Sequence, residues 1–147
     1  AENDSIYGRS KRLAENILEE LANKHGTKAA VLRLTNVFGE GGRPFYNSVV
    51  ATFASEAARG KKIPVNDPGK KLRLLYVGHV VKQVLAEVRA KHRNNFFFKK
   101  INSRNEISVG KLAKLMESFA AHTVTPKNKF ERELYQTLLS YVAHVKF

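Results

Sequence analysis

A tyrosine and a lysine stand four residues apart near the start of the chain, within the stretch Ser5-Ile6-Tyr7-Gly8-Arg9-Ser10-Lys11. On a helix this spacing places both side chains on one face, one turn apart. A neighbouring ammonium stabilises a phenolate, which lets the phenol exchange a proton near neutral pH. Tyr7 and Lys11 are therefore candidates for general acid/base catalysis. The alternative is that both side chains lie on the surface of a helix without a catalytic role, because this spacing also arises by chance.

The residues around the pair predict the helix that must position it, from Asp4 to Lys24 with Gly26 as the stop. Cap-type residues precede this helix: Asn3, Asp4 and Ser5. Its apolar stripe consists of Leu13, Ile17 and Leu21, with Ala14 and Leu18 beside it. We expect this stripe to face the core, with Tyr7 and Lys11 directed away from it.

A largely apolar run from Lys28 to Thr35 predicts a strand buried on both faces. A helix that leads into such a strand is half of a βαβ unit, which indicates an α/β fold. The loop that follows is rich in glycine, so its backbone can approach a ligand closely. Ligands of open α/β sheets lie beyond the carboxyl ends of the strands, which makes Asn36 and residues 39–47 candidates for binding. An ordinary flexible connection is the alternative.

Further elements follow from turn residues and periodicity. Asn47 and Ser48 are expected to cap a helix that ends at Arg59-Gly60. Residues 62–66 and 72–77 predict two short strands that form a hairpin-like insertion. Helices are expected at 80–92, 108–119 and 130–141, with an aromatic strand at 96–101 and a linker-like stretch at 121–128.

Composition excludes several classes of function. The 147 residues contain no cysteine, so the chain has no disulfide, thiol nucleophile or thiolate metal site. No apolar run is long enough to span a membrane, and no basic-then-apolar leader is visible, so we expect a cytoplasmic protein without membrane contact. The net charge of +13 predicts attraction to anions but leaves open whether these are nucleic acid, lipid or a small phosphorylated ligand.

The order of three motifs resembles the second half of the extended short-chain dehydrogenase/reductases that act on nucleotide sugars. The motifs are Tyr7-Gly-Arg-Ser-Lys11, Arg33-Leu-Thr-Asn36-Val-Phe-Gly39 and Leu72-Arg73-Leu-Leu-Tyr76-Val77. Residues 44–53 and 130–141 are most similar to the capsular polysaccharide and O-antigen reductases, which carry a cupin after the reductase domain.

The resemblance implies a Rossmann-like α/β domain with a small substrate-binding subdomain, and NAD or NADP as cofactor. Tyr7 would protonate the sugar oxygen. Lys11 would stabilise the phenolate of Tyr7 and hold the ribose hydroxyls of the nicotinamide. Contacts to the nucleotide diphosphate or its uridine would come from Asn36, Asn47, Ser48 and Arg73. The chain departs from the family pattern at Gly78-His79, where an Asp pair is usual, and at Phe45, where Asn is usual.

The resemblance also implies that residues 1–147 are only the C-terminal half of a reductase domain, without the Gly-rich cofactor-binding half. We therefore expect a fragment that is inactive and binds no cofactor by itself. It would act on a UDP-sugar, by reduction or epimerisation, within an intact enzyme of surface polysaccharide synthesis. Because half of the sheet is missing, the chain is expected to form a homodimer or a larger assembly.

Two other functions remain open. A basic nucleic-acid-binding module would use the lysines and Arg73 that flank the expected hairpin, with residues 96–98 as a stacking platform. The three phenylalanines at 96–98 lack the alternation of an exposed face, however, and are expected in the core. The chain could also serve only in packing or dimerisation, with the amphipathic helix Phe130 to Val142 as its contact surface.

Overall fold

The computed structural model describes residues 4–143 and divides them into two units. The first unit contains residues 4–34 and 82–101, and the second contains residues 35–81 and 102–143. In chain order the elements are α1 (Ile6–His25), β1 (Ala29–Leu34), β2 (Asn36–Phe38), α2 (Val49–Ala58), β3 (Lys71–Tyr76), α3 (Val77–Arg89), β4 (Phe96–Ile101), β5 (Glu106–Ser108), α4 (Val109–Ala120) and α5 (Lys129–Val142). No described helix is long and apolar enough to cross a membrane.

The first unit is a two-stranded parallel sheet in which β1 pairs with β4. Helix α1 packs on this sheet through contacts with both strands. Arg33 of β1 and Phe98 of β4 face α1, whereas Phe97 and Lys99 contact the α3 region. Because neighbouring side chains of a strand point to opposite faces, α1 and α3 cover opposite faces of the sheet.

The prediction that β1 is buried on both faces is wrong, because none of its residues is buried. Among residues 4–143, β1 pairs only with β4, so its other edge is free. The expected orientation of α1 is also wrong: its buried residues are Gly8, Glu15 and Ala22, which recur every seven positions. The apolar stripe is exposed instead, with Leu13 at 61% and both Ile17 and Leu21 at 48%.

The second unit packs three helices on a three-stranded mixed sheet of order β2-β3-β5. Strand β3 runs parallel to β2 and antiparallel to β5. Helices α2, α4 and α5 contact one another and enclose the apolar core. Its most deeply buried side chains are those of Phe119, Leu74, Leu112, Met116, Leu134, Leu138 and Val50.

The expected hairpin is wrong. Residues 62–66 form no strand, since Pro64 has no N–H to donate and the N–H of Ile63 bonds to the Glu117 side chain instead. The idea that α5 offers a contact surface is also wrong for its apolar face, because Leu134 and Leu138 are buried in the core. Helix α3 starts at Val77 and ends at Arg89, three residues earlier at each end than expected.

Candidate functional site

Ser5 fixes the start of α1, and with it the position of the candidate catalytic pair. Its side chain accepts a hydrogen bond of 3.0 Å from the Gly8 N–H, which satisfies one of the free donors of the first turn. Gly26 closes the helix in a left-handed conformation, as expected. Of the expected cap residues, Asn3 lies outside the described residues.

Tyr7 and Lys11 lie on one face of α1, which confirms the predicted juxtaposition. The Lys11 Nζ is 5.4 Å from the centre of the Tyr7 ring, within the range of a cation–π contact. Tyr7 is 67% exposed, so its hydroxyl is open to a ligand. The pair thus has the geometry for proton exchange with a bound molecule.

An ion pair between Glu15 and Arg33 holds α1 against β1. The Arg33 guanidinium donates from Nε to Glu15 Oε1 at 3.1 Å and from Nη2 to Oε2. This hydrogen bonding lowers the pKa of Glu15, and it outweighs burial, which acts in the opposite direction. Arg33 also lies over the Phe98 ring at 4.8 Å. A carboxylate on the buried face of α1 is therefore satisfied by a specific partner.

A pocket of about 200 Å³ in the second unit brings together three of the predicted substrate-binding residues, Asn36, Asn47 and Ser48. Its remaining lining is apolar: Val37, Val49, Val50, Leu72 and Leu74. Ser48 caps α2, and its Oγ accepts a bond of 3.3 Å from the Ala51 N–H. The pocket thus combines amide and hydroxyl groups with the start of a helix, where partial positive charge favours anions.

The loop between β2 and α2 is anchored at several points that no sequence pattern indicated. The Tyr76 hydroxyl donates to the Glu40 carboxylate at 2.8 Å, and the Tyr141 hydroxyl donates to the Gly42 carbonyl. Burial, followed by the hydrogen bond to Glu40, raises the pKa of Tyr76 to about 12. The partners are 36 and 99 residues apart, so no local pattern could have revealed them.

Backbone conformation also distinguishes this loop. Gly39, Gly41, Phe45 and Asn47 all have positive φ, which for a phenylalanine is uncommon and strained. The Phe45 N–H donates to Thr52 Oγ1 at 2.9 Å, which ties the loop to the first turn of α2. The glycine-rich stretch is thus held by specific hydrogen bonds to α2, α5 and Tyr76.

Arg73, the fourth predicted substrate-binding residue, does not line the pocket. Its Nε lies 3.4 Å from Glu106 Oε2 on the neighbouring strand β5. Lys71, with its Nζ 3.1 Å from Glu106 Oε1, is the main cause of the lowered pKa of Glu106, and Arg73 adds to it. Arg73 therefore has a competing partner that the sequence did not reveal.

The alternative function of nucleic-acid binding depended on the phenylalanines at 96–98 and on the expected hairpin. Among the phenylalanines expected in the core, Phe96 is buried, but Phe98 is exposed and carries Arg33 over its ring. With the hairpin absent, nothing in the described residues favours nucleic-acid binding.

His79, at a position where the family usually has Asp, places its Nε2 2.9 Å from Glu133 Oε1 of α5. Residues 4–143 contain no group of three His, Asp or Glu side chains that could hold a metal ion.

Comparison with known proteins gives matches that span most or all of the chain. The sequence profile of the NAD dependent epimerase/dehydratase family matches residues 2–96. The whole chain is 34% identical to a UDP-2-acetamido-2,6-beta-L-arabino-hexul-4-ose reductase of Pseudomonas aeruginosa and covers 41% of that protein. The crystal structure of the capsular polysaccharide assembling protein CapF of Staphylococcus aureus is similar with a TM-score of 0.84 at 33% identity, over 97% of this chain and 41% of that one.

A more distant structure supports the fold alone. The Bordetella bronchiseptica enzyme WbmF, solved in complex with NAD+ and UDP, is similar with a TM-score of 0.81 at 19% identity, over 98% of this chain and 55% of that one. The likeness confirms the expected Rossmann-like α/β class. The chain spans less than half the length of the reductase and CapF relatives that it matches.

Proposed function

Because the chain belongs to the NAD-dependent epimerase/dehydratase family, we propose that it forms part of a nucleotide-sugar oxidoreductase. The intact enzyme reduces or epimerises a UDP-linked sugar for surface polysaccharide synthesis. The observation that carries the proposal is the Lys11 ammonium over the ring of the exposed Tyr7. The 34% identity to a UDP-sugar reductase over the whole chain supports the same class of substrate.

Residues 1–147 contribute the Tyr/Lys helix and the substrate-binding part of that enzyme in this proposal. The coverage of 41% of the Pseudomonas reductase supports it, because a larger part of such an enzyme lies outside the matched region. The Gly-rich half that binds the dinucleotide is then supplied by another part of the protein. By itself the chain is expected to be inactive.

Tyr7 is the proton donor and acceptor of the proposed reaction. When bound, reduced NAD or NADP would supply the hydride to the sugar carbon, and the oxidised form would accept it in the reverse direction. In the direction of reduction, the Tyr7 hydroxyl gives its proton to the carbonyl oxygen of the sugar, so the ketone becomes an alcohol. Lys11 stabilises the phenolate that remains and can donate hydrogen bonds to the ribose hydroxyls of the cofactor. Its exposed ammonium, one turn from Tyr7, fits that role.

The pocket at Asn36, Asn47 and Ser48 would bind the nucleotide diphosphate. The amide groups of both asparagines can donate to phosphate or uracil oxygens. Ser48 Oγ accepts from the Ala51 N–H and still has its own O–H to donate. Arg73 would join this site by exchanging Glu106 for a phosphate, since its present ion pair is solvent-exposed and weak.

The decisive experiment replaces Tyr7 by Phe in the intact enzyme. Loss of the proton donor should lower kcat by about 100- to 10,000-fold, the usual contribution of a general acid. Binding of the UDP-sugar should stay nearly unchanged, because only one hydroxyl is removed. Tyr135→Phe, on α5 in the other unit, is the matched control and should retain turnover. A parallel loss of binding in Tyr7→Phe would show that Tyr7 is structural.

The intact enzyme is also proposed to be a homodimer, with the apolar stripe of α1 in the interface. Leu13, Ile17 and Leu21 are exposed in the described part of the chain. An exposed apolar stripe favours association with another protein surface, here a second copy of the enzyme. The charge of +13 opposes it, but salt screens charges beyond roughly 8 Å. Sedimentation should show a dimer that Ile17→Lys dissociates. The control Val88→Lys, on the exposed face of α3, should leave the dimer intact, and a monomeric wild type would contradict the proposal.

A further inference from the structure

A second cavity lies in the same unit as the candidate substrate pocket and shares no lining residue with it. Its volume is about 320 Å³, at the lower end of the roughly 300–1,000 Å³ of sites that enclose small molecules. Three segments form its walls, and we call it the α2–α5 cavity. Its polar lining and the loop beside it are contributed by Gly42, Pro44, Ser55, Arg59, Ser140 and Tyr141.

The two cavities lie on different faces of helix α2. Val49 and Val50 line the substrate pocket. Ser55 and Arg59 are four positions apart, so they lie one above the other on a single face. With roughly 3.6 residues per turn, that face is about opposite Val50. The α2–α5 cavity is therefore a separate site and not an extension of the substrate pocket.

A buried hydroxyl without a protein partner lines this cavity. Ser55 is only 4% exposed, and its hydroxyl makes no hydrogen bond within the described residues. Thr52 on the same helix gives the contrast, because its Oγ1 donates to the Ser48 carbonyl at 2.9 Å. Buried hydroxyls nearly always have a partner. For Ser55 the cavity is the place where a molecule can supply one.

A positive charge on the wall of the cavity is also unpaired. Arg59, the C-cap residue of α2, forms no ion pair within residues 4–143. No described Asp or Glu lines the cavity, and Glu40, the acid of the adjacent loop, is bonded to the Tyr76 hydroxyl. A guanidinium beside a serine hydroxyl matches the oxygen atoms of a phosphate group. The α2 wall is therefore suited to an anion.

The α5 wall has the opposite hydrogen-bonding character. The Tyr141 hydroxyl donates its proton to the Gly42 carbonyl, and Ser140 Oγ donates to the Thr137 carbonyl at 2.7 Å. Toward a ligand the two oxygens can therefore act only as acceptors, the role that suits a ligand hydroxyl. A ligand that satisfies both walls needs an anionic end and a hydroxylated end.

We propose that the α2–α5 cavity is a second ligand site, which binds a small phosphorylated polyol or sugar. Arg59 and Ser55 hold the phosphate, and the oxygens of Tyr141 and Ser140 accept from the hydroxyl groups of the ligand. The inference goes beyond the proposed function, because this site contains neither the catalytic pair nor any residue of the substrate pocket.

The test is titration calorimetry of the intact enzyme that contains this chain, with saturating UDP to fill the candidate substrate pocket. The probes are glycerol 3-phosphate, inorganic phosphate and glycerol. Glycerol 3-phosphate should bind most tightly, because it alone has both an anionic end and carbon-borne hydroxyl groups. Inorganic phosphate should bind more weakly, and glycerol should not bind measurably.

Variants connect this binding to the cavity. Arg59→Gln and Ser55→Ala should each weaken binding of glycerol 3-phosphate about tenfold or more, because each removes a hydrogen bond to a charged group. Lys61→Gln is the matched control. It removes a positive charge two positions from Arg59 without altering the lining of the cavity, so it should leave the affinity unchanged.

A stability measurement separates a ligand-binding hydroxyl from one that supports the fold. Alanine is a better helix former than serine, and the Ser55 hydroxyl has no partner to lose within the described residues. Ser55→Ala should therefore leave the urea midpoint unchanged or raise it, while the affinity for glycerol 3-phosphate falls. A lowered midpoint with unchanged affinity would overturn the assignment of Ser55 to a binding site.

The remaining outcomes are equally decisive. Glycerol 3-phosphate that does not bind the wild type, or binds Arg59→Gln equally well, would overturn the second site. Equal affinity for inorganic phosphate would indicate an adventitious ion only and would overturn it too. Failure of UDP to bind would overturn the proposed function but not this inference, because Arg59→Gln and Ser55→Ala still report on the α2–α5 cavity.

Discussion

Replacement of Gly39 by alanine is the sharpest test of how the binding loop is built. Gly39 follows strand β2 with a φ of +155°, a region that L side chains rarely adopt. A Cβ at this position would lie 2.3 Å from Cγ1 and 3.0 Å from Cβ of Val77, the first residue of α3. The alanine variant therefore combines backbone strain with a steric overlap.

The two effects can be assigned magnitudes. An unfavourable backbone conformation costs about 1–3 kcal/mol, and overpacking against a structured neighbour costs about 1–3 kcal/mol. The sum, about 2–6 kcal/mol, is a large part of the roughly 5–15 kcal/mol that stabilises an ordinary domain. Gly39→Ala should thus come close to unfolding the second unit.

Urea unfolding followed by far-ultraviolet circular dichroism measures the loss. Gly60→Ala is the matched control, because Gly60 also has positive φ, at +66°, but no atom within 4 Å of the added Cβ. This control should lose only the backbone part, about 1–2 kcal/mol. Val77→Ala in the Gly39→Ala background should restore part of the stability, because it removes the Cγ1 atom that the new methyl would meet.

The reasoning would be refuted if Gly39→Ala lowered the free energy of unfolding no more than Gly60→Ala does. The start of α3 would then move aside at little cost, and the loop would not be held against it. Equal stability of the single and double variants would contradict the assigned overlap in the same way.

Two further predictions concern Glu15 and Tyr76, whose pKa values differ from their ordinary values. The lowered pKa of Glu15 means that its contribution to stability is complete above the unfolded value near 4.5 and is lost as the pH falls through the lower folded value. Glu15→Gln should therefore weaken the dependence of unfolding free energy on pH below about 4.5, and an unchanged dependence would contradict the pairing with Arg33. For Tyr76, the raised pKa means that stabilisation is complete below about 10 and is lost as the pH rises through about 12. The ultraviolet absorbance of tyrosinate is titrated with pH in the wild type and in Tyr76→Phe, and the difference between the two curves reports Tyr76. Its midpoint should lie near pH 12 and should move to lower pH in Glu40→Gln. A midpoint near 10 would contradict the hydrogen bond from Tyr76 to Glu40.

Strong local patterns predicted the elements that carry the site. Ser5, Ser48 and Ser108 were recognised as helix starts because their side chains bond the first free N–H groups, and all three act as N-caps. The Tyr7/Lys11 contact follows from helix geometry alone, since a separation of four residues needs no tertiary information. Strands β2 and β5 escaped notice because three residues are too few to show alternation.

Errors arose where a distant partner decides the outcome. Periodicity marked Leu13, Ile17 and Leu21 as the core face of α1, but the described structure buries Glu15 because Arg33, on the next strand, neutralises it. Arg73 was expected in the pocket, yet Glu106 lies opposite it on β5. Pairings of this kind depend on which strands become neighbours, and local sequence does not encode that choice.

The bond between Tyr141 and Gly42 has a consequence for the order in which the binding loop matures. These residues are 99 positions apart, and a ribosome adds about 5–20 residues per second. The glycine loop is therefore synthesised about 5–20 s before helix α5 can reach it. Until then the Gly42 carbonyl has no tyrosine to accept from, and α2 has no α5 to pack against. The loop between β2 and α2 thus gains this anchor only once α5 has been made, and premature termination before α5 should yield a chain whose loop lacks the bond from Tyr141.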